Sequence, residues 1–271
     1  MANITPANTT NTPDSDDAEQ GRMSFFEHLA ELRKRIISAL MGIAIGSVIG
    51  LTFSQKFVTL IEKPLLQALK RNGLPPSLYV HAPTDAVSLW INIGVYMGLG
   101  IAMPWVLYQV WLFVAPGLYK HERRAVSSFI FFGTVLFALG VAFAYFIMLP
   151  QMLDFLVHFT TEFSLQPLIE VNEYLSLILI VTVGIGVIFE MPVIVYILSM
   201  FGLVTPKFLL KNFRYAMLII TVAAAIITPT PDATTMLVFM MPMIALYFVS
   251  VLVSYLVFKK RRAKEAAQAA V

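Results

Sequence analysis

The chain contains no cysteine. That excludes a disulfide framework, a thiolate metal site and a cysteine nucleophile. Charge is scarce too: Asp, Glu, Lys and Arg make up 13% of its 271 residues, against 58% hydrophobic. Such a balance excludes a soluble globular domain and puts the chain in the membrane class. No G-x-x-x-x-G-K-[ST] phosphate loop, His-Glu-x-x-His or G-x-S-x-G occurs, so no enzyme activity and no cofactor is expected, and any energy from nucleotide hydrolysis must come from another protein. The four histidines, His28, His81, His121 and His158, fall in separate extramembrane segments. A metal site needs three or four converging ligands, and none is expected.

Residues 1–22 lack the basic start and apolar core of a secretory signal; Asp14, Asp16, Asp17 and Glu19 outweigh Arg22. They read as a disordered acidic tail, which makes the first apolar span an uncleaved anchor. Charge-free runs then cover 36–55, 86–119, 125–151, 174–206 (broken by Glu190), 215–231 and 233–258. About 20 apolar residues cross a bilayer core, so an all-α polytopic membrane domain of six transmembrane helices is expected over 23–258, followed by a basic tail at 259–271. The fifth is short, since the Thr228-Pro229-Thr230-Pro231 turn cuts it at Ile227.

An even number of spans leaves both termini on one side. Fifteen Lys and Arg fall on that side, clustered at Arg33, Lys34 and Arg35, at Lys120, Arg123 and Arg124, at Lys207, Lys211 and Arg214, and from Lys259 to Lys264. The other side has only Lys56, Lys63, Lys70 and Arg71. Positive residues resist translocation, so both termini are expected in the cytoplasm. On the opposite side, Phe57, Leu60 and Ile61 before Pro64, and Met152, Phe155, Leu156 and Phe159 after Pro150, have the spacing of short amphipathic helices forming an external cap. Gly42, Gly46 and Gly50, with Gly94 and Gly98, mark faces for close helix approach. Pro104, Pro192 and Pro242 lie within spans and should kink them, giving a concave bundle.

The stretch His28-Leu29-Ala30-Glu31-Leu32-Arg33-Lys34-Arg35 is the polar foot of the first span. Ser24 and Glu27 have capping-box spacing. Helical spacing puts Phe25, Leu29, Leu32 and Ile36 on one face and Glu27, Glu31 and Lys34 on another. Glu122, among Lys120, Arg123 and Arg124 in the turn after span two, is a second carboxylate near the same surface; its charge is either neutralised by its neighbours or used for binding. Glu190 is the one ionisable residue inside a span. It should face protein or a wet cavity, as a functional group or an inter-helix hydrogen bond. Asp232 is positioned to cap the sixth span.

These motifs resemble the TatC family, the core membrane subunits of the twin-arginine protein translocase. The likeness runs through His28-Leu29-x-Glu31-Leu32-Arg33-x-Arg35, Pro104, Tyr108-Gln109-Val110-Trp111-x-Phe113-x-Ala115-Pro116-x-Leu118-Tyr119-Lys120-His121-Glu122-Arg123-Arg124, Ala142 to Phe146, Phe189-Glu190-x-Pro192-Val193, Thr228-Pro229 and Pro231-Asp232. It implies a glove-like bundle in the bacterial inner membrane that recognises the Arg-Arg signal peptides of folded cargo, draws on the protonmotive force, and assembles with TatA, TatB and further copies of itself. The resemblance gives Glu31 and Glu122 the two arginines, Arg33 and Phe113 the support of that patch, and Glu190 an influence on signal insertion and partner assembly. Spans five and six would carry partner contacts; Met236 stands where the family has a polar residue. Membrane lipid is the remaining expected partner, and nucleic acid is not one. The competing class, a proton-coupled small-molecule or ion transporter, expects paired broken helices and a polar midplane site; only one buried charge and no paired half-repeat are present.

Overall fold

The structure is a computed structural model describing residues 25–80, 82–114, 126–163, 167–228 and 232–269. The acidic tail, the loop containing Glu122, and Pro229 and Pro231 lie outside the described residues. Among these, the elements in chain order are α1 (Phe25–Arg71), α2 (Pro83–Val114), α3 (Val126–Phe143), α4 (Leu149–Glu162), α5 (Val171–Phe189), α6 (Met191–Met200), α7 (Pro206–Lys211), α8 (Phe213–Ile227) and α9 (Ala233–Ala269). The only strand-like pairing among the described residues is a bridge between Tyr79 and Glu170. It ties the α1–α2 and α4–α5 connections together.

Among the described residues, five helical stretches are long and apolar enough to cross a membrane, and α8 is a shorter apolar sixth. At 1.5 Å per residue, α8 reaches only about 22 Å, less than the ~30 Å of a hydrocarbon core. The helix stops where the sequence stops it, at the residue before Thr228. Beyond Phe258, α9 runs on helically to Ala269.

The external cap differs from its sequence expectation. Instead of separate short helices, α1 continues unbroken through Pro64, and α3 passes through a π-helical turn at Ala144–Met148 directly into α4. Proline normally breaks a helix because its ring displaces the carbonyl four residues back and it has no N–H to offer. Here that carbonyl, Leu60 O, accepts from the Tyr145 hydroxyl at 2.5 Å, and the next, Ile61 O, accepts from the buried Tyr174 hydroxyl at 2.8 Å. Tyr145 therefore satisfies the acceptor that the proline leaves behind, and Tyr174 ties the next carbonyl to α5. The π turn plays a comparable part before Pro150, with Leu149 N–H reaching back to Ala144 O. Two helix ends close in Schellman turns at positive-φ glycines, Gly73 after α1 and Gly202 after α6, with Leu74 N bonding Leu69 O at 2.9 Å and Leu203 N bonding Leu198 O at 3.0 Å.

The larger core joins the outer part of α1 (Ile61, Leu65, Leu69) to Met148, Met152 and Leu153, to α5 and to Phe239, Met243 and Tyr247 of α9. Arg71 and Asp154 pair across its rim at 2.6 Å. A second cluster, Met103, Leu107, Trp111, Phe129, Phe137, Val193 and Ile197, fills the end of the bundle near the N-terminus. Many other large apolar side chains, such as Ile45, Val48 and Phe132, remain exposed, as spans facing lipid require.

Glycine fixes the α1–α2 seam. A Cβ on Gly46 would meet Gly98 O at 2.6 Å, one on Gly50 would meet Gly94 O at 2.6 Å, and one on Gly98 would overlap the backbone and hydroxyl of Ser47. The close approach is thus backbone on backbone, as the spacing predicted. Gly98→Val is expected to lower stability by about 2–3 kcal/mol through overpacking. Gly100→Ala on the same helix, where a Cβ meets nothing within 4 Å, should leave it unchanged or slightly raised. Thermal unfolding of the two purified variants in detergent checks this.

Candidate functional site

The same seam positions the polar foot. With α1 and α2 held together by their glycines, residues one turn apart on α1 (His28, Glu31, Arg35) come against residues one turn apart on α2 (Trp105, Gln109, Phe113). Trp105 Nε1 donates to Ser38 O at 3.0 Å, fixing the register from the membrane side. Arg35 Nε donates to Glu31 Oε1 at 2.7 Å, and its terminal nitrogen completes an ion pair with the same carboxylate. The other terminal nitrogen donates to Gln109 Oε1 at 3.4 Å. At the outer edge, the His28 ring stacks on Phe113, with centroids 4.4 Å apart and planes at 24°.

Glu31 and Phe113 thus face one seam. Carboxylate and carboxamide oxygens from two helices converge on a guanidinium, with an aromatic wall beside them. Arg33 is exposed and has no hydrogen bond or ion pair among the described residues. Glu122 lies outside the described residues, so its distance to Glu31 is not part of this geometry. Sequence reasoning gave no site role to three members of the seam, Arg35, Gln109 and His28, which it quoted as motif residues and, for Arg35, as a topology signal. The usable signals were the i,i+4 spacing of Glu31 and Arg35 and the presence of an amide in an apolar run.

Glu190 occupies a different place, the break between α5 and α6. The helix is interrupted just before Pro192, which has no N–H to offer, and Glu190 both ends α5 and begins α6. Its backbone carbonyl accepts from Val193 and Ile194, each at 3.0 Å. The side chain is buried, 6% exposed, and neither carboxyl oxygen has a hydrogen-bond partner among the described residues. It points toward α3, where a Cβ on Gly133 would lie 3.1 Å from Oε2 and 2.8 Å from Leu107 on α2. Gly133 therefore makes the room this carboxyl occupies, a role its sequence position did not signal. A buried polar group without a partner is costly, and this carboxyl needs a donor that no described residue supplies.

The remaining candidates lie elsewhere. Asp232 Oδ2 accepts from Thr235 N at 2.6 Å at the start of α9. Met236, one turn on, is half-buried against the larger core, and Pro104 is exposed within α2. No group of three or more metal-ligating side chains occurs among the described residues.

Fold and sites together define a polytopic helical membrane protein with a carboxylate–guanidinium–amide contact between two helices at one end and a buried carboxyl within a span. The family model TatC, Sec-independent protein translocase protein (TatC), matches residues 27–242. The Sec-independent protein translocase protein TatC of Koribacter versatilis (strain Ellin345) is 42% identical over 250 residues, 92% of this chain and 91% of that protein. The TatC protein of Aquifex aeolicus (strain VF5) is 35% identical over 241 residues, 89% and 98% of the two chains. A crystal structure of the twin arginine translocase receptor TatC matches with a TM-score of 0.72 at 35% identity, covering 85% of this chain and 99% of that one. The chain belongs to the TatC family. The transporter reading has no support in these relatives, and the described residues contain one broken span where paired half-repeats would require two.

Proposed function

We propose that this protein is the signal-peptide receptor and core subunit of a twin-arginine translocase, moving folded proteins across a bacterial inner membrane at the expense of the protonmotive force. The observation that supports it best is that Glu31 already holds a guanidinium, shared with Gln109, at the membrane surface. Arginine offers a planar fork of donors that lysine lacks. A site made from carboxylate and amide oxygens therefore selects Arg-Arg over Lys-Lys. Glu122 supplies the second carboxylate, Arg33 and Phe113 support the patch, and Glu190 receives a polar group of the inserted signal or of a partner helix.

Both termini face the cytoplasm, in keeping with fifteen cations on that side against four on the other. TatA and TatB are the partners, docking along α8 and α9, where the short span leaves neighbouring helices uncovered; Asp232 and Met236 lie at the outer end of that region. Further copies of the chain complete the receptor complex. The test is a titration of the detergent-purified protein with a twin-arginine signal peptide and its Lys-Lys variant. Preference for Arg-Arg is expected. Equal binding of the two, with and without TatB, rejects the receptor reading.

A further inference from the structure

We propose that Arg35 is a resident competitor for the signal peptide: it fills the Glu31–Gln109 acceptor pair in the unliganded protein, and an incoming arginine must displace it. This inference rests on the receptor reading and adds to it a residue that sets how strongly a cationic peptide must bind to be accepted.

Three cations crowd the foot of α1, and they are treated differently. Arg33 and Lys34 are exposed. Arg35 is folded in, its side chain 22% exposed beside Glu31 at 21%. An i,i+4 ion pair by itself is a common helix-surface feature of small effect. What distinguishes this one is the second contact. Arg35 also reaches Gln109, which is 3% exposed and 74 positions away on the facing helix. The guanidinium therefore bridges two helices through two oxygen acceptors.

A peptide arginine that binds Glu31 must make contacts of the same type, and the carboxylate oxygen facing the seam cannot serve two guanidinium forks in that geometry. Displaced, Arg35 swings outward to join Arg33 and Lys34 at the lipid headgroup level, where a long cationic side chain is readily accommodated. A site mostly occupied by its own side chain binds every ligand more weakly by the fraction left open. Weak cations such as a Lys-Lys pair then fall below useful affinity, while Arg-Arg remains above it.

The experiment is a four-protein titration with the twin-arginine peptide: wild type, Arg35→Gln, Glu31→Gln and the double variant, all full-length in detergent. Arg35→Gln should tighten binding about three- to tenfold, the scale of releasing a partly buried ion pair. In the Glu31→Gln background the same substitution should give no gain, because the contested acceptor is gone. An equal gain in both backgrounds means that Arg35 only repels cationic peptides at long range, and overturns the proposal. Unchanged or weaker binding by Arg35→Gln overturns it as well. Arg35→Lys, which keeps the charge and loses the fork, should give a smaller gain and supplies the same comparison should Arg35→Gln fold poorly. Wild-type protein that does not distinguish Arg-Arg from Lys-Lys removes the receptor reading and this inference together; wild-type preference without a gain in Arg35→Gln removes this inference alone.

Discussion

Glu31→Gln combined with Glu122→Gln is expected to cost about a hundredfold in affinity for a twin-arginine peptide and to erase its advantage over the Lys-Lys variant. The size follows from the setting: a charge-assisted, partly desolvated contact to a guanidinium contributes about 1.5–3 kcal/mol, and every 1.4 kcal/mol is tenfold. Glutamine keeps the size of glutamate and one acceptor oxygen but removes the charge and the bidentate geometry. Membrane insertion and thermal stability should hardly change, because Glu31 packs at the rim of the seam and an i,i+4 ion pair such as that with Arg35 contributes little to stability. Retained affinity and selectivity in the double variant would show that the arginines bind elsewhere. The single Glu31→Gln variant should show roughly half of the loss in free-energy terms if the two carboxylates each hold one arginine.

The second large effect is expected at Glu190. Glu190→Ala should leave peptide affinity in detergent within about twofold while lowering export of a folded reporter at least tenfold, a loss of one hydrogen-bonded partner in low dielectric. The two sites are separate: Glu31 sits on the α1–α2 seam and Glu190 at the α5–α6 break, packed toward Gly133 of α3. Because no described group bonds its carboxyl oxygens, alanine deletes an unmet need and should not destabilise the resting fold. Glu190→Gln, which keeps a donor and acceptor of the same shape, should recover much of the export. Wild-type export by the alanine variant would make the carboxyl a bystander. Gly133→Leu offers an independent check, since its side chain would crowd Leu107 and push the Glu190 carboxyl from its place, and it should mimic the alanine variant in export.

Much of this arrangement is legible from the residues in order. The charge-free runs locate the spans, the Thr-Pro-Thr-Pro turn shortens the fifth, and the four-residue glycine repeats locate the α1–α2 contact. Each of these signals is local, carried by composition or spacing within one element. What escaped was decided between elements. Pro64 reads as a stop until Tyr145, 81 positions later in the chain, takes up the carbonyl it frees. Arg35 reads as a topology charge until Gln109 arrives from the facing helix. Glu190 could be singled out from its isolation in a span, but not the glycine on α3 that makes space for it, because nothing near Gly133 in sequence refers to a carboxyl.

The passage of α1 through Pro64 has a mechanical consequence. Forty-seven residues in one unbroken helix make a rod of about 70 Å, more than twice the ~30 Å thickness of the hydrocarbon layer. Its polar foot and its far tip are therefore the two ends of a single lever, with the tyrosine contacts at Leu60 and Ile61 acting as the fulcrum. Tilting that rod by about 5° about the fulcrum would swing the foot, roughly 45 Å away, by about 4 Å and the tip, roughly 15 Å away, by about 1 Å, so that a displacement on one face of the membrane reaches the other reduced in size but without any messenger passing between them.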